Sequence, residues 1–235
     1  MKSIVTGALF ALASLPALAE DFTLAAGAGY KRPLAEAVAA FAAAGHGEVG
    51  QIYGNMGQVI GQARESGKID IVCGDQKVLD KAEGLSITRF VPLGKGKLVV
   101  AWRKGLTLSA PESLADAAIT RIGIPDEKSA IYGRAGRQYL DRAGLADSVA
   151  DRLLTVATVP QVTAYLGSAE IDVGLMNLTD ALGAGEKIGG WLLVDPGLYD
   201  PIIISCGMMD EKVAAGFAAF LETPEARAIM ERHGL

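Results

Sequence analysis

The chain is poor in the residues on which most catalytic and metal sites depend. Its 235 residues include two histidines and two cysteines, and no GxSxG, HExxH or Walker sequence is present. Neither His46 nor His233 lies at a spacing that suits a metal ion. Asp70, Asp75 and Asp80 surround one strand end and helix, where capping and solvation explain them better than acid–base catalysis. The sequence predicts a protein that is not an enzyme and carries no cofactor.

Basic residues are also fewer than acidic ones. The chain has 22 lysines and arginines against 27 aspartates and glutamates, a net charge of -5. This balance argues against nucleic acid or an anionic membrane as a partner. It leaves an anionic small molecule open, because backbone N–H groups bind anions without any net positive charge.

Long apolar runs are absent after the first residues, where a bilayer span would need about 20. Met1-Lys2 give a positive start, residues 4–15 are almost uncharged and apolar, and an Ala-x-Ala pattern ends at Ala19. This layout predicts a signal peptide, residues 1–19, and a mature protein in the periplasm. A retained membrane anchor is the alternative, which the shortness of the apolar run disfavours.

The two cysteines, Cys73 and Cys206, are few and even in number. In an oxidising compartment this favours a disulfide between them. Two buried thiols that pack as small apolar residues are the alternative.

Short apolar strands alternate with helical stretches along the chain. The strands fall into two sets, at residues 21–26, 50–53 and 69–73 and then at 121–124, 153–159 and 172–176. Because these strands show little polar alternation, they predict parallel sheets covered by helices on both faces.

Two long extended stretches, residues 90–102 and 191–206, connect the two sets of strands. They predict an α/β fold of two lobes, with two mostly parallel sheets flanked by helices and joined by two crossover strands. Lobe one would comprise residues 20–97 and 205–235, and lobe two residues 98–204. A single continuous α/β domain without a hinge is the alternative.

Three strand ends run into small or polar residues and then a helix. These turns are Gly27 to Tyr30, Gly54 to Gly57 and Pro125 to Ser129. Each leaves unpaired N–H groups at a helix start, where the helix dipole favours an anion. Since α/β folds place ligands at the carboxyl ends of their strands, we expect a binding site between the lobes.

Six segments, in this order, carry a family resemblance: DFTLAAGAGY, YGNMGQVIGQARESGKIDIVCGDQKVLD, PLGKGKLVVAW, GIPDEKSAIYGRAGRQYLDRAGL, VTAYLGSAEIDVGLMNLTDAL and FLETPEARAIMERHGL. Together they make nearly the whole mature chain similar to the periplasmic molybdate/tungstate-binding proteins, the solute-binding subunits of ABC importers. The resemblance implies the type II periplasmic-binding-protein fold. It also implies a small oxyanion ligand, an ABC permease as partner, a monomer, and neighbouring positions for Cys73 and Cys206.

The resemblance also implies the residues of the site. Carried over position by position, the groups that hold the oxyanion fall at Ala28, Gly29, Asn55, Ser129, Val159 and Asn177. Tyr30, Met56 and Gly57 complete the predicted site because they lie in the same turns. The expected mechanism is closure of the second lobe on a ligand already held by the first.

Several of these positions lack the family's side chains. Ala28 or Gly29 and Asn55 stand where the family has serines, and Asn177 stands where it has a tyrosine. A dehydrated dianion needs nearly every oxygen hydrogen-bonded, so the same fold binding iron, copper or a metal chelate stays open. A ligand sensor in place of a transporter subunit stays open too.

Sulfur-bearing residues give the copper alternative its ligands. Met56, Cys206, Met208 and Met209 are soft donors of the kind that select copper(I). Packing of these methionines in the core, with Cys206 paired to Cys73, explains them better.

Overall fold

Two five-stranded sheets organise the part of the chain that the computed structural model describes, residues 22–235. The predicted signal peptide, residues 1–19, lies outside the described residues. The first sheet contains β1 (Phe22–Gly27), β2 (Val49–Gly54), β3 (Ile71–Asp75), β4 (Arg89–Gly96) and β10 (Ile202–Met208). The second contains β5 (Leu98–Trp102), β6 (Ile122–Pro125), β7 (Leu153–Val156), β8 (Val173–Asn177) and β9 (Gly190–Leu193).

Helices follow most strands and cover the sheets. They are α1 (Lys31–Ala43), α2 (Met56–Ser66), α3 (Gln76–Asp80), α4 (Ile131–Arg142), α5 (Ala146–Val149), α6 (Val159–Gly167), α7 (Leu178–Ala184), α8 (Glu211–Leu221) and α9 (Pro224–Arg232). Short 3-10 turns occupy Ala28–Tyr30, Pro111–Ala115, Ala150–Arg152, Gly185–Lys187 and Pro196–Leu198. No helix within residues 22–235 has the length and apolar character needed to cross a bilayer.

The two sheets have the same plan, which confirms the predicted two-lobed α/β fold. Their strand orders are β2-β1-β3-β10-β4 and β7-β6-β8-β5-β9. In each, three parallel strands carry the helices, and the crossover strands add antiparallel pairs: β10 with β3 and β4, and β5 with β8 and β9. The sheets are therefore mixed, because each crossover enters its lobe from the opposite direction.

The crossovers are short where the chain changes sheets. Between β4, which ends at Gly96, and β5, which begins at Leu98, only Lys97 intervenes. The return runs from β9 to β10 and enters the first sheet at Ile202, three residues before the predicted boundary at 205. The exact boundaries of the lobes stay a prediction: residues 20–97 plus 205–235 for lobe one and 98–204 for lobe two.

Cys73 and Cys206 face each other across the centre of the first sheet. They are directly opposite in the antiparallel register of β3 and β10, and their sulfur atoms form a disulfide with the Cα atoms 4.0 Å apart. Both side chains are fully buried. The bond therefore ties the return strand to a parallel strand of lobe one.

The start of α4 differs from the sequence-based prediction. The sequence predicts a turn over Pro125 to Ser129 that leads directly into a helix, whereas α4 begins at Ile131. The Asp126 carboxylate accepts hydrogen bonds from the N–H and the hydroxyl of Ser129, at 2.7 and 2.6 Å. These two bonds hold a turn in front of the helix, since aspartate and serine side chains compete with helical backbone bonding.

Candidate ligand-binding cleft

A small, closed cleft lies between the two lobes at the carboxyl ends of the parallel strands. Its lining comes from lobe one at Gly27, Ala28, Gly29, Tyr30, Gly54, Asn55 and Met56, and from lobe two at Ala130, Ile131, Tyr132, Thr158 and Val159. Its volume is about 30 Å³. Sites for organic ligands usually measure about 300–1,000 Å³, so the closed cleft suits a ligand of a few heavy atoms.

The second lobe offers backbone donors at two helix starts. α4 and α6 begin next to the cleft, and neither N-cap residue, Ala130 or Thr158, caps its helix through a side chain. The first N–H groups of a helix have no partner inside it. They carry the positive end of the helix dipole, equivalent to roughly half a charge, so both starts attract an anion.

The side-chain oxygen of Asn55 is engaged at the start of α2. Its Oδ1 accepts from the Gln58 N–H at 2.9 Å, and Gln58 Oε1 accepts from the Asn55 N–H at 3.3 Å. This capping box fixes the start of α2. Because the oxygen is held by the helix, Asn55 keeps its Nδ2 hydrogens as donors, and the repulsion expected between an asparagine oxygen and an oxyanion is avoided.

Two buried tyrosines meet across the lobes. The hydroxyls of Tyr30 and Tyr132 are 2.7 Å apart and hydrogen-bonded, and each side chain is at most 2% exposed. Burial raises the pKa of both phenols, and their mutual interaction adds to this for Tyr30. Both are therefore neutral, and one of their two hydroxyl hydrogens is left to donate to a ligand.

Asn177 joins the lobes and does not line the cleft. Its Nδ2 donates to the Gly29 carbonyl at 2.9 Å, and its Oδ1 accepts from the Asp180 N–H at 3.3 Å. The close approach requires glycine at position 29, because a Cβ there would lie 2.9 Å from Asn177 Nδ2. Asn177 thus uses its amide for contact between the lobes.

Ser129 and Gly57 form another contact between the lobes. The Gly57 N–H donates to the Ser129 carbonyl at 3.4 Å, while the N–H and hydroxyl of Ser129 are held by Asp126. The structure therefore places Ala28, Gly29, Tyr30, Asn55, Met56 and Val159 on the cleft lining, and Gly57, Ser129 and Asn177 beside it. Their roles towards a ligand stay predictions.

Asp180 is a half-buried residue next to the cleft turn, and its carboxyl oxygen Oδ2 is fully buried. Its Oδ2 has no hydrogen-bond partner within residues 22–235, and it would lie 3.2 Å from a Cβ at Gly29. Burial raises its pKa to about 7, although the nearby Arg32 guanidinium opposes the rise. Asp180 thus titrates near neutral pH.

Two of the sulfur-bearing residues, Met56 and Cys206, have structural roles. Met56 is buried and its Sδ packs over Gly74 and Gly27, while Cys206 is bonded to Cys73. Within residues 22–235 no group of three or more His, Cys, Asp or Glu side chains could hold a metal ion. These positions fit the packing interpretation of the methionines.

Sequence reasoning missed much of the second lobe's lining. Ala130, Ile131 and Tyr132 are not among the predicted site residues, because the predicted turn ends at Ser129. Thr158 is missed because the sequence predicts a strand over 153–159, whereas β7 ends at Val156 and Thr158 is the N-cap of α6. The Asp-x-x-Ser spacing at Asp126 was the available signal, since such a spacing closes a turn before a helix. Tyr132 pairs with Tyr30 over 102 residues of sequence, which no local pattern indicates.

Comparison with known proteins places the chain in a family. Residues 22–235 match the family described as bacterial extracellular solute-binding protein. The chain is 24% identical over 231 residues to the molybdate-binding protein ModA of Rhodobacter capsulatus, covering 94% of this chain and 90% of that protein.

Solved structures share the fold. The periplasmic molybdate-binding protein of Azotobacter vinelandii superposes with a TM-score of 0.83 at 24% identity, over 91% of this chain and 97% of that one. The sulfate-binding protein SubI of Mycobacterium tuberculosis gives a TM-score of 0.73 at 16% identity, over 91% and 85% of the two chains. With the family matched along all of the described residues, this chain belongs to the bacterial extracellular solute-binding proteins.

Proposed function

We propose that this protein is the periplasmic solute-binding subunit of an ABC importer and captures a small tetrahedral oxyanion, of the molybdate or tungstate kind, between its lobes. The relatives named above are binding proteins for molybdate and sulfate. The captured ligand is then delivered to an ABC permease in the inner membrane. The site needs no cofactor and does no chemistry on its ligand.

One observation carries this proposal: helix starts from both lobes converge on one small cleft with a neutral lining. The N-termini of α4 and α6, which no side chain caps, border it together with Asn55 and Met56 at the capped start of α2. No charged side chain of the described residues lines it. Helix N-termini bind anions through N–H groups and the helix dipole together. A bare cation would face the positive ends of these dipoles, so the arrangement disfavours a free metal ion.

Closure of the lobes completes the set of donors. Lobe one supplies the turns at 27–30 and 54–56, and lobe two supplies Ala130 to Tyr132 with Thr158 and Val159. A ligand shifts the equilibrium between open and closed forms only through its higher affinity for the closed form. An ion that contacts donors on both lobes has this preference, because its hydrogen bonds to the second lobe form only on closure.

The first test is a thermal-shift panel on the purified protein with molybdate, tungstate, sulfate, phosphate, iron(III), copper and zinc. A ligand that binds only the folded protein at 100 times its Kd adds about 2.7 kcal/mol of stability. We expect a rise in Tm with molybdate or tungstate and none with the metal ions. A rise with a metal ion or chelate alone would contradict the oxyanion proposal and leave the fold assignment intact.

Asn55→Asp gives a sharper test at the cleft itself. Aspartate caps a helix as well as asparagine does, so the fold should be retained, but the cleft gains a negative charge. We expect molybdate affinity to fall at least about tenfold, since two like charges about 4 Å apart repel by roughly 4 kcal/mol near a protein surface. Isothermal titration calorimetry measures the change.

The matched control is Gln62→Glu, which adds the same charge on the exposed face of the same helix. It should leave molybdate affinity within about twofold, because exposed charges are screened beyond about 8 Å. If Asn55→Asp behaves like this control, the ligand does not bind at the start of α2.

A further inference from the structure

A second cavity, larger than the cleft, opens beside it between the same two lobes. We call it the side pocket. Its volume is about 450 Å³, and it is lined by Ile60, Asp75, Lys77, Val78, Lys81 and Ala82 of lobe one, by Ile131, Arg134, Ala135 and Gln138 of lobe two, and by the return segment at Asp200, Pro201 and Ile202. This is within the size range of sites for organic metabolites, about fifteen times the volume of the cleft.

The carboxylates of the side pocket are already matched by arginines. Asp75, which is 5% exposed, pairs with Arg134 across the lobes at 3.1 Å. Asp200 pairs with Arg142 at 2.6 Å and accepts a further hydrogen bond from Gln138 at 3.0 Å. These pairs leave neither carboxylate as an uncompensated negative charge on the wall.

Two lysines give the side pocket an excess of positive charge. Lys77 and Lys81 line the side pocket, one helical turn apart, and no carboxylate within residues 22–235 lies within 4 Å of either ammonium group. Lys77 is close enough to Asp75 and Asp200 to act on them electrostatically. With both arginines matched, the two ammonium groups make this wall cationic.

The rest of the wall is apolar. Val78, Ile60 and Ala82 stand on lobe one, and Ile131 and Ala135 face them from α4. Ile202 closes the pocket from the return strand. An apolar wall with cations at one side suits a ligand with a hydrophobic body and a single anionic group.

We infer that the side pocket is a second ligand site, for an amphipathic organic anion such as an aryl or alkyl carboxylate or phosphate ester, held at its charged end by Lys77 and Lys81. Its walls belong to both lobes and to the return segment, so an occupant contacts all three. The inference is independent of which ligand fills the cleft, because Ile131 alone lines both cavities.

The isoleucines give a direct readout. The protein is labelled with ¹³C at its isoleucine δ1 methyl groups, and 4-phenylbutyrate is titrated into it as the probe. In methyl NMR spectra we expect the probe to shift the signals of Ile60, Ile131 and Ile202. Ile171 and Ile229, buried elsewhere in the fold, should not move. The shifts should persist with excess molybdate, which separates this site from the cleft and from the success or failure of the oxyanion proposal.

Chemical controls test both parts of the recognition. The uncharged 4-phenylbutanamide should bind at least about tenfold more weakly, because it loses the charge-assisted hydrogen bonds. Acetate, which lacks the apolar body, should cause no shifts at the same concentration. Equal shifts with the amide, or shifts spread over control methyl groups, would overturn the inference.

Variants complete the test. Lys77→Gln with Lys81→Gln should weaken 4-phenylbutyrate about tenfold, whereas Lys68→Gln on the exposed loop before β3 should change nothing. Ala82→Trp fills the cavity while leaving both lysines in place, and it should abolish the shifts. Unchanged binding in both the lysine variant and Ala82→Trp would overturn the proposed site.

Discussion

At the scale of single residues, two asparagines serve the cleft in different ways. Asn55 gives its oxygen to the start of α2 and keeps its amide hydrogens. Asn177 gives its amide to the Gly29 carbonyl of the other lobe. The residue type at a family position therefore does not settle its role; the hydrogen bond that fixes the side chain does.

The hydroxyl pair of Tyr30 and Tyr132 can be tested by a double-mutant cycle. Either Tyr→Phe change leaves the other buried hydroxyl unpaired, which costs about 1–3 kcal/mol. The double variant removes both polar groups, so we expect it to be no less stable than the single variants. Urea unfolding of the four proteins measures this, and strictly additive losses would show that the two hydroxyls do not interact.

Asp180 predicts a pH dependence of stability. Burial raises its pKa from the ordinary value of 3.8 to about 7 on folding, so the folded protein binds this proton more tightly than the unfolded chain does. Its contribution to stability is present below pH 4 and is lost as the pH rises to about 7. Relative to wild type, Asp180→Asn should gain stability across this interval, measured by urea unfolding at several pH values.

Asp172 is the control, because its pKa shifts on folding in the opposite direction. Burial alone would raise its pKa, but hydrogen bonds from Thr120, Arg103 and Arg121 lower it to about 2. Asp172→Asn should therefore lose more stability at pH 7 than near pH 2, the reverse of Asp180→Asn. A pH-independent difference between wild type and Asp180→Asn would contradict a raised pKa for Asp180.

At the scale of secondary-structure elements, the sequence predicts the two lobes well. Strands such as β3 are buried along their whole length because both faces are covered. The intervening helices end at recognisable signals such as Gly67, which has a φ of 60°. The crossovers are visible as long extended stretches without helices. These are local patterns, and local patterns can be read from sequence.

The site is predicted only in part, because its geometry depends on distant contacts. The turns at 27–30 and 54–57 follow from strand ends, so Gly29 and Asn55 can be placed near the cleft from the sequence. The start of α4 depends on how Asp126 holds Ser129, and the place of Asn177 depends on Gly29, 148 residues away. Such contacts exist only once the lobes meet.

The disulfide between β3 and β10 predicts a large loss of stability on its removal. The bond spans 133 residues, and closing a loop of this size stabilises a protein by about 2–5 kcal/mol. Cys73→Ala with Cys206→Ala should lose this amount in urea unfolding. Reduced wild type should match it, since the chain has no other cysteine; equal stability of oxidised and reduced wild type would contradict the prediction.

At the scale of the whole molecule, pairs across the lobes hold the closed form. Arg134 of α4 meets Asp75 at the end of β3, at 3.1 Å. Arg32 of α1 donates to the Thr179 carbonyl of α7 at 2.6 Å. With the Tyr30–Tyr132 hydrogen bond, these contacts join the two lobes at three places.

Arg134→Gln should shift the molecule towards its open form. The variant leaves the buried Asp75 carboxyl without its partner across the lobes, which disfavours closure. We expect a larger radius of gyration by small-angle X-ray scattering without ligand, and a several-fold weaker molybdate affinity. The control is Arg137→Gln, which breaks only a pair with Asp141 inside α4. If molybdate reduces the radius of gyration of neither the wild type nor the variants, the result contradicts hinge closure.

The position of the disulfide has a consequence for how the protein is made. Cys73 precedes the second lobe and Cys206 follows it, so the covalent ring encloses that entire lobe. Because the chain is synthesised from its N-terminus, this ring cannot close until all of the residues between Cys73 and Cys206 have been made. An oxidised molecule has therefore completed the synthesis of its second lobe, and β10 is the last strand to join the first sheet.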